Sequence, residues 1–347
     1  MNSILLEPFA SEYLGRLKNR VVMSAMTRSF ADKNHCCTGL MADYYARRAQ
    51  DGTALILTEG VIIHPSGDGY NNTPHIWNKK QADSWKKAIK KVHQAGSKIF
   101  CQLWHCGRIS HKDYTGGIQP VSSTDKQADG VNRQNNKPFS APRALLTEEI
   151  PGIYNMFLNA ASNAITAGFD GVELHLGHGY LADQFFDARI NDRADKYGGP
   201  VKNRCRFALE LTEAVLSKHG PDKVMIRISP SRYMEKLYDW PDLKEMLDYL
   251  IPALAKTGLR LLDISCARAD YYETSGRVIR MIRPEWPYLL MGGASLSHQQ
   301  AVEEIKQGYL DMATWGRFIL ANPDFVSRLK QDIEPLAMDP SILKVLY

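Results

Sequence analysis

Short apolar runs rich in β-branched residues alternate with longer stretches of helical periodicity along the chain, and this alternation constrains the fold more than any other feature. Eight strand candidates precede such stretches, at residues 21–26, 54–60, 98–104, 171–175, 223–229, 259–265, 286–293 and 309–316. In the helix predicted after the fourth, Phe207, Leu211 and Val215 share one apolar face. Eight strand–helix repeats in 347 residues predict an α/β fold, a (β/α)8 TIM barrel around a parallel sheet.

A doubly wound open sheet is the alternative, but no G-x-G-x-x-G follows an early strand candidate. One interval is anomalous: residues 105–151, after the third strand, are rich in Ser, Asn, Gln, Gly and Pro and exceed an ordinary βα connection. We predict that this interval is a loop or lid excursion within one barrel domain spanning residues 1–347.

Composition narrows the function classes. The net charge of +5 comes without a dense Lys/Arg block, so no nucleic-acid partner is expected. The six cysteines form no C-x-x-C pair, which indicates free thiols in a reducing compartment. Residues 1–15 lack a basic start and include Glu7, and no apolar run approaches the roughly 18 residues of a membrane helix. A cytoplasmic protein without membrane association is predicted.

Polar side chains recur at the carboxyl ends of the predicted strands, where such barrels build their active sites. Residues two apart on a strand share a face, which pairs Ala25 with Thr27, Gln102 with Trp104, Glu173 with His175 and Arg227 with Ser229. Arg227 is flanked by apolar residues, so its guanidinium enters a buried strand and requires an anion. That anion is either Glu173 on the adjacent strand or a ligand that is, or becomes, negatively charged.

Glycines end the last two strands. In these barrels the loops after strands seven and eight often bind phosphate through backbone N–H groups. Gly292 and Gly293 would allow a phosphate to approach the backbone closely. Gly316 and Arg317 would add N–H donors and a guanidinium. A phosphate site at this end of the barrel is therefore predicted.

The segment "HLGHGY", residues 175–180, places two histidines and a tyrosine after the fourth strand. The His-x-x-His spacing could bind a metal, but no nearby side chain completes the three protein ligands that catalytic zinc requires. The rings could also merely satisfy backbone groups of a turn. No metal site is predicted.

Long motifs now identify a family. The segments "LKNRVVMSAMTR" (17–28), "GDGYNNTP" (67–74), "QLWHCGRISH" (102–111), "AGFDGVELHLGHGYLADQFF" (167–186) and "WGRFILANPDFVSRL" (315–329) stand in family order. Together they resemble the old yellow enzyme family of FMN-dependent ene-reductases. The resemblance implies tightly but non-covalently bound FMN across the barrel mouth, reduced by NADPH or NADH.

Carried onto matching positions, the resemblance implies a role for each flavin-binding residue. Thr27 would bond the flavin near its C4 carbonyl, while Ala25, Met26 and Gly60 would lie against the ring. Gln102 would bond the pyrimidine edge. Arg227 would face N1 and the C2 carbonyl, where reduced flavin carries negative charge. Gly293, Gly316 and Arg317 would hold the phosphate.

The same resemblance implies that His175 and His178 bind the carbonyl oxygen of an α,β-unsaturated substrate while hydride passes from flavin N5 to its β-carbon. Tyr180 would protonate the α-carbon. Tyr70 and Trp104 match positions that line the substrate pocket.

Departures from the family pattern leave the substrate open. Ala25 stands where many members have proline, and Thr27 where one subgroup has cysteine. The segment 267–284 and the C-terminal residues do not match the family, so the roles of Tyr271 and Tyr272 are not predicted. A nitroester or nitro reductase and a non-catalytic flavin- or phenol-binding protein are the alternatives. The oligomeric state is not predicted.

Overall fold

Eight parallel strands close into a barrel in the computed structural model, which describes residues 3–234, 236–266 and 269–347. The last strand pairs with the first. The prediction of a (β/α)8 barrel is confirmed. The strands are β1 Val21–Met23, β2 Leu55–Ile62, β3 Lys98–Trp104, β4 Gly171–His175, β5 Val224–Ile228, β6 Leu261–Ser265, β7 Leu289–Gly293 and β8 Met312–Trp315.

Helices follow the strands and cover the outside of the barrel. Their apolar faces pack on the sheet in one extended core. The three-residue spacing of Ser297 and Gln300 in the sequence predicts a capping box. The structure confirms it, because each side chain binds the backbone N–H of the other residue. The α-helices of the described chain are α1 Gly39–Asp51, α2 Lys79–Ser84, α3 Lys86–Gln94, α4 Ile150–Ala167, α5 Asp183–Phe186, α6 Val201–His219, α7 Leu243–Lys256, α8 Ser275–Ile282, α9 His298–Lys306, α10 Arg317–Ala321 and α11 Phe325–Gln331.

The first strand is shorter than predicted. It ends at Met23, and residues 24–30 leave the sheet as an irregular segment at the barrel mouth. Glu59, in an irregular stretch of β2, accepts the backbone N–H groups of Arg28 and Ser29, each at 3.0 Å. This buried carboxyl group therefore satisfies backbone donors of a segment that pairs with no strand.

Strand register places charged side chains side by side inside the barrel. His175 on β4 pairs with Arg227 on β5, and Arg227 pairs with Asp263 on β6. Glu173 lies opposite Gln102 of β3. The opposite end of the barrel is apolar, where Phe100, Met225 and neighbouring residues form a separate core closed by the hairpin at residues 9–17.

The stretch between β3 and α4 is folded, with the strand pairs Val121–Ser122/Arg143–Ala144 and Val131–Asn132/Lys137–Pro138. It is tied to the segment after β4, since Ser122 Oγ donates to Gln184 Oε1 at 2.9 Å and Ser123 Oγ to Gln184 O at 2.6 Å. Asn132 Nδ2 donates to Gly69 O at 2.8 Å. The excursion therefore supports two segments of the barrel mouth.

No helix among residues 3–234, 236–266 and 269–347 is both long enough and apolar enough to span a bilayer.

Candidate active site

A cavity of about 430 Å³ opens at the carboxyl ends of the barrel strands. Its walls come from the segment after β1, from Arg227 of β5, and from the ends of β6, β7 and β8. Ser265, Cys266 and Thr314 contribute to the lining, as do Met338 and Leu343 near the C-terminal end. The structure brings six predicted cofactor residues to these walls: Ala25, Met26, Arg227, Gly293, Gly316 and Arg317.

The two glycines of β7 differ in their surroundings. A side chain at Gly293 would collide with the Thr314 backbone, so bare backbone forms the wall there. A Cβ at Gly292 would meet Ile264 O at 2.6 Å and Ile279 Cδ1 at 2.7 Å, on the outer side of the strand. The structure therefore does not bring Gly292 to the cavity; the position allows α8 to pack closely on β7.

Three other predicted cofactor residues do not line this cavity. Thr27 is half-buried in the segment after β1. Gln102 is buried and its Nε2 donates to Glu173 Oε2 at 2.7 Å. Gly60 lies on β2 against the indole of Trp104, which occupies the space that a side chain at position 60 would need.

Arg227 lies at the wall of the cavity and is 6% exposed. Its Nη1 is 3.5 Å from Ala25 O, and its Nε is 3.6 Å from Asp263 Oδ2. The ion pair of Arg227 within the described chain is therefore with Asp263 on β6 and not with Glu173, which was one of the two partners left open by the sequence. The reason is geometric: Asp263 is level with Arg227 in the sheet register, whereas Glu173 is level with Met225.

An aromatic cluster adjoins Arg227 at the ends of β3 and β4. The hydroxyl groups of Tyr70 and Tyr180 are 2.8 Å apart and hydrogen-bonded. Trp104 contacts both rings, with centroid separations of 4.9 Å to Tyr70 and 4.8 Å to Tyr180. His175 lies 5.3 Å from Tyr180 and 5.3 Å from His178 between ring centroids. The structure thus brings together all five residues predicted to contact substrate.

The turn that carries His178 and Tyr180 is docked on the end of β5. His178 N donates to Ser229 Oγ at 2.5 Å, and His178 adopts a left-handed φ of 58°. A Cβ at Gly177 would lie 2.5 Å from Ser229 Oγ and 2.8 Å from Ser229 N. Only glycine therefore permits this approach, because any side chain would push the turn away from β5.

A buried carboxylate that the sequence analysis missed organises this turn. Asp183 Oδ2 accepts Gly179 N at 2.5 Å and Arg232 Nη1 at 2.6 Å. Its Oδ1 accepts Trp240 Nε1 at 2.7 Å. These partners come from the segments after β4 and β5. The family-like motif "LADQFF" contained the residue, but its spacing gave no indication of partners so distant in sequence.

Burial sets the protonation states in the cluster. It lowers the pKa of His175 and of His178 well below the ordinary value, and the charge of Arg227 adds to both shifts. Neutral imidazoles each carry one N–H donor, and the Nδ1 atoms of both rings have no hydrogen-bond partner among the described residues. Burial raises the pKa of Tyr180 well above its ordinary value and that of Tyr70 to about 12. The phenols therefore keep their protons at neutral pH.

The loop before Tyr70 contains a further polar network. Asp68 accepts His75 Nε2 at 2.8 Å and the backbone N–H groups of Gly69 and Tyr70 at 2.7 Å and 3.2 Å. His35, Asp68 and His75 are the only side chains of the described chain that group three metal-type ligand atoms within 4.8 Å of one another. This group does not include His175 or His178.

The two tyrosines left open by the sequence lie elsewhere. Tyr271 is buried and its hydroxyl donates to Glu304 Oε2 at 2.8 Å, on α9. Tyr272 is 40% exposed. Neither lines the cavity of the described chain.

The residues present fit a flavin nucleotide. Bare backbone at Gly293 and the guanidinium of Arg317 lie at one end of the cavity, and Arg227 lies at its wall. Arg317 Nη2 donates to Ser295 Oγ at 2.5 Å, which holds it beside the β7 end. Unpartnered buried imidazole nitrogens lie next to Arg227. Such a set offers donors to a phosphate, a cation for an electron-rich ring and polar groups for a second ligand.

Comparisons with known proteins agree with this geometry. Residues 5–335 match the model of the NADH:flavin oxidoreductase / NADH oxidase family. The chain is 38% identical to 12-oxophytodienoate reductase 7 of Oryza sativa subsp. japonica over 91% of this chain and 85% of that protein. It is 35% identical to 12-oxophytodienoate reductase 2 of Arabidopsis thaliana, over 94% of this chain and 88% of the relative.

A solved structure gives the same answer for the fold. The old yellow enzyme homologue from Zymomonas mobilis superposes with a TM-score of 0.91 at 30% identity, covering 98% of this chain and 96% of that one. The chain therefore belongs to the NADH:flavin oxidoreductase / NADH oxidase family as an FMN-dependent enzyme of the old yellow enzyme type.

Proposed function

We propose that the protein is an ene-reductase that binds FMN tightly and without a covalent bond, and that reduces α,β-unsaturated carbonyl compounds with NADPH or NADH. The observation that carries the proposal is the position of Arg227, which lines the cavity at the barrel mouth and is level with His175 in the sheet. The cofactor cavity and the His/Tyr cluster therefore meet at one side chain. Relatives named as reductases of 12-oxophytodienoate support this substrate class.

The proposed role of each residue at the FMN site follows from its charge and its hydrogen-bond donors. FMN supplies the hydride when it is bound. Arg227 offers a fixed positive charge to the electron-rich edge of the ring. Thr27, Gln102 and Gly60, which do not line the cavity, stay predicted contacts of the ring. Arg317 and the backbone at Gly293 and Gly316 hold the phosphate.

The neutral imidazoles of His175 and His178 donate to the carbonyl oxygen of the substrate, where negative charge develops as hydride arrives at the β-carbon. Tyr180 holds the proton that goes to the α-carbon, because burial keeps its phenol protonated. Tyr70 shares a hydrogen bond with Tyr180 and can orient that proton. Trp104 packs against both phenols and fixes their positions.

The test is Tyr180→Phe, which removes the proton donor while keeping the ring. Enone reduction should slow by about 10²–10⁴-fold, the usual contribution of a general acid, while NAD(P)H still bleaches the flavin at nearly the wild-type rate. The matched control is Tyr272→Phe, which removes an exposed phenol and should change neither half-reaction.

Four results would count against the proposal. Purified protein that cannot be loaded with FMN would refute it, as would equal slowing of both half-reactions in Tyr180→Phe. Loaded protein that oxidises NAD(P)H no faster with enones than with air would favour the non-catalytic alternative. Turnover confined to nitro compounds or nitroesters would favour that reductase instead.

A further inference from the structure

Two carboxyl groups and one guanidinium share the barrel interior below the cavity. Glu173 of β4 and Asp263 of β6 are each 0% exposed, and Arg227 lies on the strand between them. Arg227 Nε is 3.6 Å from Asp263 Oδ2. If both carboxyl groups were ionised, this buried cluster would carry one uncompensated negative charge, which is costly in an apolar interior.

Donors of the described residues reach only one of the two oxygens of each carboxyl group. Glu173 Oε2 accepts Gln102 Nε2 at 2.7 Å, and Asp263 Oδ1 accepts Ser265 Oγ. No donor of the described residues lies within hydrogen-bond distance of Glu173 Oε1 or Asp263 Oδ2. The two carboxyl groups are hydrogen-bonded to each other, and each acts on the pKa of the other; such a bond forms only if one of the two groups carries a proton. The geometry therefore favours a pair that shares a single proton.

Two side chains, Arg227 and Ser265, each lie between the carboxyl pair and the cavity. Arg227 lines the cavity and adjoins Asp263. Ser265 also lines the cavity, donates to Asp263, and is hydrogen-bonded to Thr314 Oγ1 at 3.1 Å. A charge that appears in the cavity therefore acts on the pair over a short, water-poor path.

The surrounding groups determine how the pair titrates. Burial raises the pKa of Glu173 to about 8, with the charge of Asp263 adding to the shift and that of Arg227 opposing it. Burial likewise raises the pKa of Asp263, and Arg227 again opposes the shift. Arg227 is the charged group that faces the pair from β5, and His175 follows two positions after Glu173 on β4. The β3, β6 and β8 strands contribute the uncharged polar groups of Gln102, Ser265 and Thr314.

We propose that Glu173 and Asp263 form a redox-linked proton acceptor, which takes up a solvent proton when FMN in the adjoining cavity is reduced and releases it on reoxidation. This inference rests on the proposed FMN site. The electrons come from NAD(P)H, whose hydride carries two electrons and one proton to the flavin and leaves NAD(P)⁺. The additional proton comes from water and binds those molecules in which the pair has lost its shared proton, so charge and atoms balance.

The physical reason is competition for one cation. Arg227 already compensates Asp263, and a reduced, anionic flavin would be a second anion beside the same guanidinium. Protonating the pair removes one of the competing negative charges. Reduction should therefore raise the proton affinity of the pair, in the pH range where the oxidised protein has begun to lose that proton.

The midpoint potential of the FMN-loaded protein tests this. Uptake of one proton per two electrons gives a slope of roughly 30 mV per pH unit, and a second proton brings it to roughly 60 mV. We expect the steeper slope in wild type between about pH 7.5 and pH 9, around the pKa of Glu173. Glu173→Gln, which cannot accept the proton, should follow the shallow slope throughout. The control Glu304→Gln removes a buried carboxyl group outside the barrel, bonded to Tyr271 and Arg280, and should keep the steep segment.

A second measurement needs no variant. Hydride transfer from NADPH to FMN that yields the anionic reduced flavin consumes no solvent proton, so an indicator dye in weakly buffered wild-type protein reports uptake by the pair directly. We expect a substantial fraction of one proton per FMN near pH 8. No uptake, together with a shallow slope in wild type, would overturn the inference. In that case loaded, NADPH-reducible protein would leave the proposed function standing, whereas failure to load FMN would defeat the proposed function itself.

Discussion

Replacing Asp183 with asparagine tests how the turn that carries His178 and Tyr180 is held. The carboxylate bonds Gly179 N, Arg232 Nη1 and Trp240 Nε1 at 2.5 Å, 2.6 Å and 2.7 Å. Asparagine keeps one acceptor oxygen and directs an NH₂ group at the remaining donors. It also removes the negative charge opposite Arg232, which is 3% exposed.

The magnitude follows from burial. Removing one partner of a buried ion pair costs about 3–5 kcal/mol, because the other charge stays in a low-dielectric interior. We expect a loss of stability of this size in Asp183→Asn. The turn should also shift, and a displacement of about 1 Å can cost about 10²-fold in rate. Enone reduction should therefore fall while FMN stays bound.

The assay is urea unfolding of three variants, each saturated with FMN. They are Asp183→Asn, Arg232→Met and the double variant. The double variant removes both charges, so its loss should be smaller than the sum of the single losses by more than about 1 kcal/mol. Strict additivity, to within about 0.5 kcal/mol, would refute the view that this ion pair holds the turn. So would an unchanged rate of enone reduction in Asp183→Asn.

Two further changes address the turn and the segment after β1. Gly177→Ala places a Cβ 2.5 Å from Ser229 Oγ, so enone kcat/KM should fall by about 10²-fold with FMN content unchanged, whereas Gly152→Ala, which meets no atom within 4 Å, should be silent in the same assay. Burial raises the pKa of Glu59 to about 7, so the folded state keeps a proton that the unfolded chain loses near its ordinary value of 4.5. Its contribution to the free energy of unfolding should therefore decline as pH rises from about 4.5 to about 7. Glu59→Gln should flatten that decline in urea titrations, and an unchanged pH profile would contradict this assignment.

Much of the barrel was predictable because its signals are local. The direction of a strand side chain follows from its position in a period of two, so the interior placement of Arg227 could be read from its neighbours. Capping residues such as Ser297 and Gln300 act within a single turn of helix and were predicted for the same reason. The order of the strands followed from the simple alternation of strands and helices.

The partners of those side chains were harder to predict from the sequence. Whether Arg227 faces Glu173 or Asp263 depends on the stagger between neighbouring strands, which no single strand encodes. The path of the segment after β1 depends on Glu59, which lies in an irregular stretch of a different strand.

The sequence by itself determined the barrel, the strand ends on which polar groups accumulate, and the family to which the motifs point. Only the tertiary structure decided that Asp183 organises the turn before α5, that Gly292 packs on a helix rather than facing the cavity, and that Glu173 and Asp263 flank one arginine. The physical reason is that backbone periodicity is a short-range property, whereas a buried charge is stabilised by groups that only barrel closure brings together.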